Sequence, residues 1–275
     1  MKKLILATAV AAACISSLAQ AQEAAPDAAA APVPDNALTF NIGAVNDYRF
    51  RGISQTRFDA AVQGGADYVY NPLGLYAGTW LSNIQWIKDG VNIANTGTSG
   101  KGSVEWDLYA GKRGDIGGGF TYDVGGLYYY YPGNNYGATG VNKNANTFEL
   151  YGQIGYDTAY FKVSNAMTNT FGNYNSKNSR YYDLSWNPVI AGGVVLGLHV
   201  GHQTIAGNQF SGASNSLYSY TDWKVGVSKT FDDLYGITAG VAYVGTDAQD
   251  GAYVAAGTNK NLGRSGVVFS VAKTF

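Results

Sequence analysis

From residue 38 to residue 275 the chain alternates apolar and polar residues with a period of two, in runs of about ten. In "NTFELYGQIGY", Phe148, Leu150, Ile154 and Tyr156 share one face and Glu149, Tyr151 and Gln153 the other. In "SVEWDLYAGK", Val104, Trp106, Leu108 and Ala110 alternate with Glu105, Asp107, Tyr109 and Gly111. Successive side chains of a strand point to opposite faces, so this pattern specifies strands buried on one side against something apolar. About twelve such runs occur, near 38–50, 59–70, 75–86, 103–112, 118–131, 146–156, 160–169, 179–187, 193–203, 218–229, 235–245 and 264–275. Each has about the length that a tilted strand needs to cross a bilayer.

The connections alternate in length. "NPLG" (71–74), "RGDIG" (113–117), "DTA" (157–159), "NPVIA" (187–191) and "DDL" (232–234) are tight, with Pro, Gly, Asn or Asp supplying turn geometry. Those between them, around 51–58, 87–102, 132–145, 170–178, 204–217 and 246–263, are mostly longer and rich in Gly, Asn, Ser and Thr. Short turns on one side and long loops on the other describe an all-β, transmembrane antiparallel up-and-down barrel, its turns in the periplasm. Aromatics gather at both ends of the runs. Tyr68, Tyr70, Tyr76, Tyr156, Tyr160, Trp186, Phe231, Tyr235 and Phe275 lie beside turns; Phe50, Trp86, Trp106, Tyr128, Tyr130, Phe148, Tyr218 and Tyr243 lie toward loops. Belts at the two membrane boundaries would have this distribution.

The polar face is ionisable. By parity it carries Asp47, Asp67, Glu105, Asp107, Asp123, Glu149, Asp183 and Asp222, with Arg49, Arg51, Arg113, Lys162 and Lys224 as bases. A closed apolar core cannot hold this many charges, since each unpaired one costs several kcal/mol. These residues are therefore expected to line a water-reached lumen, and eight acids against five bases predict a weak cation preference.

No run beyond the first twenty residues is long and apolar enough for a membrane helix. Lys2 and Lys3 precede an apolar stretch ending in Ala19-Gln20-Ala21, a secretory signal expected to be cut after Ala21. Cys14, behind three alanines, offers a lipoprotein signal as the competitor. Residues 22–37, rich in Ala and Pro, read as a flexible periplasmic leader, leaving 38–275 as the barrel. Cleavage removes the only cysteine and leaves 16 basic against 19 acidic residues, which argues against disulfides, a thiolate metal site and nucleic-acid binding. His199 and His202 stand three apart on a strand, facing opposite ways, so they cannot share a metal. Neither lies in a nucleophile motif, so no enzyme and no cofactor is expected.

Residues 46–84, through Tyr48, Phe50-Arg51-Gly52-Ile53-Ser54-Gln55, Gln63-Gly64-Gly65, Tyr76-Ala77-Gly78 and Ser82-Asn83, resemble the signature of the TorF family, proteobacterial outer-membrane proteins regarded as porins. The resemblance implies a barrel that acts as a channel, with no catalytic residues to carry over. The last strand, "GVVFSVAKTF", ends in Phe275 and resembles the terminal signal read by the barrel insertion machinery.

The expected function is passive diffusion of small hydrophilic solutes or ions through a narrow, partly plugged pore set in outer-membrane lipid. Homo-oligomerisation is compatible with it. Arg49 and Arg51 are expected to point inward from the upper end of the first strand, with Phe50 toward lipid. There they form either an anion-attracting mouth or a salt bridge to Asp47 or Asp67. Two rivals remain: a non-conducting barrel whose loops bind a surface partner, and a soluble β-sandwich.

Overall fold

The computed structural model describes residues 34–94, 97–255 and 260–275, so the signal and residues 22–33 of the leader lie outside the described residues, while Asn36 and Ala37, expected in the leader, already belong to the first strand. Twelve long strands form the body: β1 (Asn36–Val45), β2 (Ala61–Tyr70), β3 (Leu75–Asn83), β4 (Val104–Gly117), β5 (Phe120–Tyr130) and β6 (Thr147–Tyr156). They continue as β7 (Ala159–Ala166), β8 (Arg180–Trp186), β9 (Val194–Thr204), β10 (Tyr220–Phe231), β11 (Ile237–Thr246) and β12 (Gly266–Thr274). Every strand pairs antiparallel with its neighbours in sequence, and β12 returns to β1 with Thr274 opposite Asn41 and Ser270 opposite Val45. Beyond it the Phe275 amide donates to the Phe40 carbonyl at 2.8 Å. The barrel is closed and has no free edge.

The twelve expected runs coincide with the twelve strands, with four departures, the smallest at the expected 187–191 turn, which moves to Ala191–Gly193 because Val189 and Ile190 pair with Val195 and Val194. β1 stops at Val45 rather than near residue 50, because the chain there turns into the barrel. β3 stops at Asn83 and is followed by helix α1 (Trp86–Ile93), whose Ile87 and Val91, four residues apart, are fully buried. That spacing is helical. β4 runs through the expected 113–117 turn, which falls instead at Gly117, Gly118 and Gly119, with φ of +93°, +64° and +85°. Three consecutive left-handed residues are open only to glycine at little cost, whereas "RGDI" continues the alternation.

The two faces of the sheet differ as water differs from hydrocarbon. Leu38, Phe40 and Ile42 on β1, Leu150 and Ile154 on β6, and Val267, Phe269 and Val271 on β12 are 46–60 % exposed on the outer face. An apolar surface continuous around the barrel far exceeds the patches of soluble monomers. The interior holds the charges. A β-sandwich would bury the apolar faces against each other, so that rival is excluded. Of the expected belt residues, Tyr68, Tyr156, Trp186, Tyr235 and Phe275 are exposed beside turns, and Trp106 and Tyr243 toward the loops. Tyr76 and Tyr160 turn inward instead, to Asp123 and Asp183, because they share the parity of the lumen residues.

Candidate functional site: an inward-folded loop over a polar lumen

Residues 46–60 leave β1 and fold back inside the barrel. Arg49 pairs with Ser54 and Phe50 with Ile53 across a two-residue turn in which Arg51 and Gly52 have φ of +48° and +78°. Two left-handed central residues are the type I′ geometry favoured in tight hairpins. A Cβ on Gly52 would stand 2.7 Å from that of Asp222 and strike Thr246, so the turn tip lies against the inner wall of β10 and β11. A left-handed Arg51 costs about 1–2 kcal/mol, which its side chain offsets.

The Arg51 guanidinium donates to Glu149 Oε2 on β6 at 2.7 Å and to Gln203 Oε1 on β9 at 2.5 Å. It also lies over the rings of Tyr181, 4.2 Å from the centroid, and Phe50, at 4.8 Å. Arg49 donates to Asp47 at 2.5 Å and to the carbonyls of Gly52, Leu262 and Arg264. Arg57 grips Asp89 on α1 with two hydrogen bonds. The three arginines thus tie one loop to three parts of the circumference. Tyr48 adds a fourth tie, donating to Glu105 at 2.6 Å. Phe50 does not reach lipid. It packs edge-on against Tyr129 and Phe171 inside the barrel, because residue 50 belongs to a loop and not to the wall. The signal in the sequence is Gly52, a residue free to take positive φ, between Phe50 and Ile53.

The strands place the remaining charges on the inner face. Glu105, Asp107 and Glu149 are buried behind the loop, and Asp107 Oδ1 has no hydrogen-bond partner among the described residues. Nearer the turns, Tyr109 donates to Asp67 and Tyr76 to Asp123, each at 2.5 Å. Arg113 stands opposite Asp123 in register. The Lys162 ammonium rests 4.0 Å from the centroid of Tyr151, and Lys224 lies opposite His199. By contrast β1, β11 and β12 present small uncharged side chains to the lumen, among them Gly43, Ala242, Val268 and Ser270.

His199 is no lone lumen residue. Its Nδ1 lies 3.0 Å from Asp183 Oδ1 and its Nε2 2.9 Å from Asp222 Oδ1. Tyr181 also donates to Asp222, at 2.9 Å. Ser185 Oγ stands 3.0 Å from Nδ1 and donates to Asp183 at 2.7 Å. The composition is that of a hydrolase triad, but Ser185 and Asp183 lie on the same ring nitrogen, where a triad has serine and carboxylate on opposite ones, and Ser185 donates to Asp183. The cluster is a hydrogen-bonded brace across three strands. Parity alone gave the direction of Asp183, Ser185 and Asp222 but not the register that gathers them on one ring.

Beneath the loop tip a cavity of about 160 Å³ remains, lined on one side by Arg51, Lys162, Tyr181, His199 and Lys224 and on the other by Val45, Ala242, Val244 and Val268. It has room for on the order of ten waters.

The fold is similar to that of an outer-membrane channel from Pseudomonas putida F1, with 12 % identity, a TM-score of 0.51, and 92 % of this chain and 99 % of that one covered. The NanC porin aligns at 10 % identity and a TM-score of 0.49 over 86 % of this chain and 98 % of its own. The KdgM porin in complex with disordered oligogalacturonate aligns at 6 % identity and a TM-score of 0.47, over 86 % and 97 %. None of the curated proteins matches the chain at a significant level. A family model matches residues 28–275, and the chain belongs to that family, the bacterial proteins of unknown function called Gcw_chp.

Proposed function

We propose that the chain is an outer-membrane channel through which small hydrophilic solutes or ions diffuse passively, without chemistry. The observation that carries this reading is a polar cavity inside a closed barrel with an apolar exterior. With it we propose the narrower reading that residues 46–84 suggest, a TorF-like porin exported by a signal that would be cut after Ala21. Purified barrel in a planar bilayer is expected to give discrete current steps. Their absence would favour a non-conducting barrel whose surface loops bind a partner, a reading to which the inserted loop lends some support.

Orientation follows from the alternation of connections. A peptide tag inserted near Asn144 or Gln249 is expected to be labelled on intact cells, and one near Leu73 is not. Labelling at Leu73 would reverse the barrel in the membrane.

Phe275 closes the last strand and is the residue through which the insertion machinery would read it. Its deletion removes the pairing with Phe40 and an exposed aromatic at the turn-side boundary. The amount of folded barrel, read by heat-modifiable migration on a gel, is expected to fall several-fold. An unchanged folded band would remove that role.

A further inference from the structure

The eight acids and five bases on the inner face are not evenly mixed. Around the cavity beneath the loop stand the bases Arg49, Arg51, Lys162 and Lys224, with His199, and the acids Asp47, Asp183 and Asp222; Glu149, paired with Arg51 from behind the loop, brings the acids to the same number as the four bases. The other acids stand elsewhere: Glu105 and Asp107 lie behind the loop, and Asp67 and Asp123 toward the turns. The three cavity acids are also engaged. Asp47 accepts from Arg49 and Ser54, Asp183 from His199 and Ser185, and Asp222 from His199 and Tyr181.

Lys162 differs from them. Among the described residues no carboxylate oxygen lies within 4.0 Å of its ammonium, which rests on the Tyr151 ring and is half-buried at the cavity wall. Asp183, its cross-strand neighbour on β8, is held by His199 and Ser185 instead. Facing the Lys162 ammonium is a largely apolar wall: Val45, Ala242, Val244 and Val268 offer methyl groups, with the Ser270 hydroxyl beside them. A ligand suited to both is charged at one end and greasy at the other.

We propose that this cavity is an anion-binding constriction that takes a small monocarboxylate with an apolar body. Its carboxylate meets the ammonium of Lys162 and its hydrocarbon lies against the valine-rich wall. The inference rests on the channel reading and deepens it. Since the most restrictive region sets selectivity, the Lys162 ammonium at the cavity, which has no carboxylate oxygen within 4.0 Å among the described residues, outweighs the whole-lumen count, and the weak cation preference expected from that count gives way to an anion preference.

The experiment is a reversal-potential measurement under a potassium chloride gradient, combined with block by benzoate, its neutral analogue benzamide and the polar carboxylate gluconate. The parent is expected to reverse on the chloride side, and benzoate to block chloride current at concentrations at least fivefold lower than gluconate, with benzamide inactive. Lys162→Gln is expected to weaken benzoate block at least fivefold and move the reversal potential toward potassium, while Lys162→Arg retains both. Folding of each variant is checked by heat-modifiable migration. A conducting parent that prefers cations, or benzoate block unchanged in Lys162→Gln, overturns the inference and leaves the channel intact. If no current steps occur, the channel reading fails, and saturation-transfer NMR of benzoate with the detergent-folded barrel decides the rest. A signal lost in Lys162→Gln sustains the site in a closed barrel, and no signal overturns it.

Discussion

Replacing Arg51 by alanine is expected to raise single-channel conductance several-fold and to shift the reversal potential toward cations. Arg51 is the tip of the inserted loop and bridges the lumen to Glu149 and Gln203. Its side chain and that of Glu149 are only 7 % and 3 % exposed, so this is a buried pair. Removing one partner of such a pair costs about 3–5 kcal/mol. An equilibrium between docked and undocked loop tip would then change by roughly a hundredfold or more. Alanine also leaves an uncompensated carboxylate at Glu149, which attracts cations. Glu149→Gln breaks the same bridge and leaves the arginine, so it is expected to raise conductance with the opposite shift in selectivity. Paired shifts of opposite sign mark an electrostatic latch. If both variants conduct as the parent does, Arg51 is not the restriction. In an Arg49→Ala, Arg51→Ala double variant Asp47 is released as well, and the shift toward cations is expected to be larger.

The second large effect is on stability. Tyr181 lies flat across Gly201 of the neighbouring strand, where a Cβ would strike its hydroxyl and stand 2.7 Å from Asp222 Oδ2. Tyr76 lies over Gly111 of β4 in the same way. Gly201→Val therefore has to push Tyr181 off Asp222 and out from under Arg51. Overpacking costs about 1–3 kcal/mol, and leaving buried groups without their hydrogen bonds costs a further ~1–3 kcal/mol. A loss on the order of 3–5 kcal/mol is expected in urea unfolding of the detergent-folded barrel. Gly152→Ala is the control, because its Cβ would meet only Val124 at 4.0 Å. Equal stability of Gly201→Val and parent would show that the tyrosine rings do not depend on the glycine seats beneath them.

The sequence by itself determined the wall. A period of two fixes which side chains of a strand face inward, so Glu105, Asp107, Glu149, Lys162 and Asp183 were legible as lumen residues before any fold was known. The alternation of short and long connections determined the topology, and the absence of an apolar core large enough for the charged faces determined that the barrel is inverted. Connections carry no such period, and there the tertiary structure decided. The 46–60 loop enters the lumen because its arginines find partners across the ring: Arg51 and Glu149 are 98 residues apart, and Arg49 reaches a carbonyl 213 residues away. The brace of His199 by Asp183 and Asp222 likewise needs three strands in one register. Register and closure are set by the whole ring of hydrogen bonds, so which charges neutralise one another, and which cation is left facing the cavity, became visible only when the barrel closed.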